Sequence, residues 1–134
     1  MDRINKFLKR MDEENKVGWN EEGFSKLSKE EKIVVSTMNL IYQTYNGGVT
    51  QYFYNGYGFA DEFLKNEAFD ILDCPELIEW LEKAEKLNEE YQKLGMLESA
   101  YGLEGKLDKL DKEFYKGLGD KLEENLKSYL EEVE

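Results

Sequence analysis

The sequence predicts an all-α protein, a compact multi-helix single domain with a buried, uncharged central helix pair. Three observations carry that prediction. Leu, Glu and Lys, all good helix formers, dominate outside the middle of the chain. Pro75 is the only proline, and β-branched residues do not cluster at the alternating positions a strand needs. Ile33 to Ala60 is a 28-residue run without Asp, Glu, Lys or Arg, in a chain that is 36% charged.

The elements can be justified in order. A first helix is expected over about residues 2–14, with Ile4, Phe7, Leu8 and Met11 on one side. Residues 18–26 read as a loop, with Trp19 and Phe24 as anchors onto the core. Ser28-Lys29-Glu30-Glu31 has the S-x-x-E form of a capping box and opens a helix running to about Tyr45. This helix is almost wholly apolar after Lys32, which makes it the central one. Gly47-Gly48 stops it, because consecutive glycines weaken a helix and permit positive φ. Thr50 to Tyr54 reads as a short helix closed by Gly56 and Gly58. Ala60 to Leu72 reads as another, with Phe63, Leu64, Ala68, Phe69 and Leu72 inward.

Asp73-Cys74-Pro75-Glu76 gives a capping acid, a first-turn proline and a glutamate, the start of a helix from Pro75 to about Leu94. Wound at about 100° per residue, it puts Leu77, Trp80, Leu81, Ala84, Leu87, Tyr91 and Leu94 on one face. Glu79, Glu82, Glu85 and Glu89 fall opposite, with Lys83 and Lys86 pointing elsewhere. Gly95 and Gly102 are expected to break the chain before a helix over about Leu103 to Lys116. There Leu103, Leu107, Leu110 and Phe114 form the apolar stripe. Glu104, Asp108 and Asp111 line one flank of it, and Lys109, Lys112 and Lys116 the other. Gly117 and Gly119 end that helix, and Asp120 caps the last one, whose Leu122, Leu126, Tyr129, Leu130 and Val133 face the core. The chain divides into an N-terminal helix and loop, 1–26, and a helical remainder, 27–134, within one globular unit. At 134 residues it can bury roughly two thirds of its unfolded surface.

Charge is uneven. Residues 1–32 carry eight acids and eight bases, 33–60 none, and 61–134 carry 22 acids against 10 bases, so the net −12 lies in the second half. Phosphates would be repelled, which argues against direct nucleic-acid binding and favours a basic partner. One cysteine, Cys74, cannot form an internal disulfide, which fits a reducing cytoplasm. The first ten residues are amphipathic without a signal-peptide run, and nothing approaches the roughly 20 apolar residues of a membrane span. A cytoplasmic protein without membrane contact is the expectation.

Catalytic chemistry finds little foothold. Without histidine there is no Ser-His-Asp or Cys-His arrangement and no imidazole base. Cys74 sits beside a helix start, where the dipole would lower its pKa, but a partly buried structural cysteine accounts for it more simply. No calcium loop, zinc spacing, P-loop or dinucleotide fingerprint occurs. No catalytic residue, metal or cofactor is expected, and the chain does not read as an enzyme.

Two features remain. Asn46, Gln51 and Asn55 are the polar members of the neutral segment; they suit a ligand site, or amides that satisfy backbone groups at the glycine break. Carboxylates at i and i+3 or i+4 stand about 5–6 Å apart along a helix, while B-DNA advances about 3.4 Å per phosphate on each strand. The row Glu79, Glu82, Glu85, Glu89 and the row Glu104, Asp108, Asp111 are therefore coarse imitations of a phosphate row, or ordinary solvated faces.

Asn46-Gly47-Gly48-Val49-Thr50-Gln51-Tyr52-Phe53-Tyr54-Asn55 carries an NGG-x-x-QYF-x-N pattern that resembles the bacterial DNA-mimic protein family. Lys106 to Tyr115 is similar to that family's late L-D-x-L-D-x-x-F-Y element, and Leu126-Lys127-Ser128-Tyr129-Leu130 resembles its final helix. The likeness spans residues 27–134. Val49 departs from the family's usual phenylalanine, Asn55-Gly56-Tyr57-Gly58 from its N-S-x-G, and the region after Asp73 diverges. The resemblance implies an all-α fold, often dimeric, whose acidic surface occupies the DNA-binding face of a regulatory or nucleoid protein. The motif itself, Asn46, Gly47, Gly48, Gln51, Tyr52, Phe53 and Asn55, is expected to be structural.

The sequence thus leads to an acidic protein-binding module, a DNA mimic that blocks a basic DNA-binding protein and so regulates transcription. Two other readings stay open: an immunity or adaptor protein binding a toxin or enzyme through aromatics around Tyr52 to Phe59, and a small-ligand sensor using Asn46, Gln51 and Asn55.

Overall fold

The computed structural model describes residues 2–94 and 100–133, with side chains described for 2–93 and 105–133. Among the described residues there is no strand. Helix α1 is Arg3–Glu13, α2 Glu21–Ser25, α3 Lys29–Gly47 and α4 Val49–Tyr54. Helix α5 covers 57–71 and changes gauge along its length: a 3₁₀ turn Tyr57–Ala60, then Asp61–Phe63, a π turn Leu64–Ala68, and Phe69–Ile71. Helix α6 is Glu76–Leu94, α7 Ala100–Glu113 and α8 Gly119–Val133, with a π turn Phe114–Leu118 between the last two.

Helix α3 is the axis of the fold because its sequence lets it be buried on most sides. Its start is fixed locally: Ser28 Oγ accepts from Glu31 N at 3.2 Å, and Glu31 Oε1 accepts from Ser28 N at 2.8 Å, the reciprocal capping box expected. From there Ile33, Val34, Met38, Leu40 and Ile41 are buried, and α1, α4, α5 and α8 pack around them. Ile4, Phe7 and Met11 of α1 join the same core. On the other side α6 and α7 pack together through Leu77, Trp80, Leu81, Leu107 and Leu110, with the Trp80 indole N–H donating to Leu110 O at 2.9 Å.

Several local expectations differ from the structure. Trp19, expected as an anchor, is 63% exposed, whereas Phe24 on the short helix α2 is buried. Three aromatics of the uncharged segment also face outward: Tyr42, Tyr45 and Tyr54, the last 84% exposed. A neutral segment need not be a buried one, since tyrosine can present an apolar ring and keep its hydroxyl wet. Asp73 takes a positive φ of 54° where α5 ends, and the next N–H, of Cys74, returns to Phe69 O at 2.7 Å. Asp73 thus closes one helix, and the next begins at Glu76. Gly102 lies inside α7 and breaks nothing, while Gly95 is outside the described residues. Asp120 lies in the first turn of α8, and Val133 is exposed.

Candidate partner-binding surface

The glycine break is where two distant stretches of sequence meet. Gly48 has φ +83°, and a Cβ there would come 2.5 Å from Asp111 Oδ2, so only glycine fits. The space it leaves admits Asp111, whose Oδ1 accepts from the Val49 backbone N–H at 2.8 Å and caps α4 from across the fold. Four residues on, one turn along the same stretch, the Tyr115 hydroxyl donates to Thr44 O at 2.7 Å. Phe114 packs between Tyr45 (5.4 Å between centroids) and Trp80 (5.1 Å). The NGG motif and the L-D-x-L-D-x-x-F-Y element are thus two halves of one joint.

The rest of the NGG motif is also architectural. Gln43 Oε1 accepts from Gln51 Nε2 at 2.9 Å and from Asn55 Nδ2 at 2.7 Å, so these amides bond one another across the break. Asn46 and Gly47 are exposed beside them. Tyr52 is completely buried, with Phe53 edge-on to it at 5.3 Å, and its hydroxyl donates to Asp61 Oδ1 at 2.7 Å. Burial pushes the Asp61 carboxyl up to about 7; the Tyr52 hydroxyl opposes that rise and the neighbouring Glu85 adds to it. Cys74 is fully rather than partly buried, and desolvation pushes its thiol up, consistent with a structural cysteine.

The acidic row on α6 is of mixed character. Glu85 is half-buried and bonds Lys65 at 2.6 Å, and Lys65 also meets Glu62 at 3.4 Å. Glu79 pairs with Lys83 at 3.2 Å, so that lysine does not point away from the row. Glu82 and Glu89 are exposed and make no ion pair among the described residues. On α7, Asp108 is exposed and unpaired in the same sense, Asp111 is turned toward α4, and the Glu104 side chain lies outside the described residues. Sequence reasoning did not single out Gln43, Asp61 or Lys65, and it had Tyr115 only as the last residue of the late motif. The one-turn spacing of Asp111 and Tyr115 was the signal that could have shown their shared face.

A second exposed feature is a groove of about 180 Å³ between α1 and α3, lined by Leu8, Met11, Val35, Met38, Trp19 and Tyr42 together with the polar Asp12, Lys16 and Asn39. No helix is long and apolar enough to cross a membrane, among the described residues.

Fold and surface together define a strongly acidic, all-helical protein whose motif residues hold the scaffold and whose surface includes exposed carboxylates. The chain belongs to the DMP19-like protein family, whose model matches residues 25–133. No curated protein and no solved structure gives a match.

Proposed function

We propose that the protein is an acidic binding module that acts as a DNA mimic, occupying the DNA-binding face of a basic regulatory or nucleoid protein and blocking it. One observation carries this reading: the family match over 25–133 takes in all but the last residue of 61–134, the stretch where 22 acids stand against 10 bases. Within it Glu82, Glu89 and Asp108 stand exposed and make no ion pair among the described residues. Glu82 and Glu89 are two helical turns apart, about 10.5 Å, which is about three phosphate steps of B-DNA. Such charges steer encounter with a basic surface, so affinity falls steeply with salt. The protein would work in the cytoplasm, where such partners are found.

The adaptor reading, expected around Tyr52 to Phe59, loses the buried Tyr52 and finds its observation instead in the mixed apolar and polar groove beside the exposed Trp19 and Tyr42. The ligand-sensor reading loses ground, because Gln51 and Asn55 are spent on Gln43. Capture of partners from nuclease-treated host lysate at low and high salt separates the first two. Mimicry gives a DNA-binding protein that salt releases. A partner without DNA-binding character, retained at high salt, would favour the adaptor.

A further inference from the structure

We propose that the stacked Tyr45–Tyr115 pair is a docking platform for an arginine side chain of the protein partner. This rests on the partner-binding reading above and assigns it a particular place. The two rings lie 5.6 Å apart with 20° between their planes, and each is about two-fifths exposed, at 40% and 41%. Both hydroxyls are tied down, Tyr45 to Asp120 at 2.8 Å and Tyr115 to Thr44 O at 2.7 Å. Gly119 makes room for this arrangement, since a Cβ there would stand 2.5 Å from the Tyr45 hydroxyl. The aromatic surface is therefore fixed before anything binds, and little conformational freedom is lost on contact.

Carboxylates stand near both hydroxyls: Asp120 and Glu123 by Tyr45, Asp111 and Asp108 by Tyr115. An exposed aromatic pair amid carboxylates fits a flat cation that can lie on a ring and fork to a carboxylate at once. Guanidinium does both, whereas an ammonium is a hydrated point charge without a plane to stack. Asp108, two helical turns before Tyr115, is exposed and unpaired among the described residues, so its carboxylate is free to take the fork. Arginine is also a residue that DNA-binding surfaces present to phosphates and bases.

The test uses the full chain and two probes, oligo-arginine and oligo-lysine peptides of equal length, titrated at low salt while the tyrosine ring resonances are followed. The platform predicts that oligo-arginine binds about two- to five-fold more tightly, the range of an exposed cation–π contact, and shifts the Tyr45 and Tyr115 signals. Tyr115→Leu abolishes that preference, Tyr115→Phe keeps it because the ring remains, and Asp108→Asn weakens both peptides. Equal affinity for the two peptides, or a preference unchanged in Tyr115→Leu, overturns the platform. If both peptides bind equally and salt releases both, the platform is wrong while the acidic-surface reading stands. If neither binds, the platform is wrong, and mimicry is then decided by DNA competition alone.

Discussion

Asp111 accepts a hydrogen bond from the backbone N–H of Val49, 62 residues earlier in the chain, and does so through the space that Gly48 leaves open. This contact joins the uncharged motif to the late acidic motif and makes Asp111 a helix cap with part of its charge turned inward. Loss of a capping carboxylate costs about 0.5–2 kcal/mol, and alanine at a positive-φ position costs about 1–3 kcal/mol. Asp111→Ala and Gly48→Ala should each lower the urea midpoint accordingly. Because the new methyl at position 48 would press on Asp111, the double variant should lose less than the two singles added. Full additivity in the double-mutant cycle would show that the two residues are not coupled.

The α6 carboxylates should separate by role. Glu85→Gln leaves Lys65, whose side chain is only 16% exposed, with Glu62 alone, and should destabilise the fold by about 1–2 kcal/mol. Glu82→Lys with Glu89→Lys should leave thermal unfolding within a few degrees of the parent and abolish partner binding. Retained binding in that double variant would reduce the row to a solvated face.

Stability should depend on pH through Asp61. Its carboxyl is raised to about 7 in the folded chain from an ordinary 3.8. Between those values the folded chain holds more proton at this site than the unfolded one does, so its contribution to stability falls as pH rises. It is fully present below about pH 4 and lost by the time the pH passes 7. Asp61→Asn keeps an acceptor for Tyr52 and removes the titration, so its unfolding free energy should change less between pH 5 and 8. An equal pH slope in parent and variant would place the effect elsewhere.

Tyr115→Phe removes one hydrogen bond to Thr44 O while keeping the ring. A loss of about 0.5–1.5 kcal/mol by denaturant unfolding is expected, with the helical circular dichroism unchanged.

What was legible in the sequence is what local chemistry decides. Ser28 and Glu31 announce their capping box within four residues, α3 follows from its apolar run and glycine stop, and α6 from its proline start and apolar face. The roles of single acids were not legible, because they depend on what lies across the fold. Glu85 and Glu82 look alike on a helical projection, yet only Glu85 meets Lys65, which α5 brings from 20 residues away. Asp111 has the same residue type as Asp108, but faces a free N–H on another helix. Tyr54 and Tyr52 belong to one short aromatic run, and the turn of α4 exposes the first and buries the second. A Gly-Gly pair shows where a helix stops; it does not show that an aspartate will fill the gap.

The central claim is that this surface and DNA compete for one site on one partner. The most direct measurement is to capture the partner on the immobilised full chain at low salt and titrate in duplex DNA, then repeat with salt in place of DNA. Mimicry predicts that DNA displaces the partner in a saturable way and that rising salt also releases it. A partner that stays bound at saturating DNA, or binds DNA and this chain together, would contradict it.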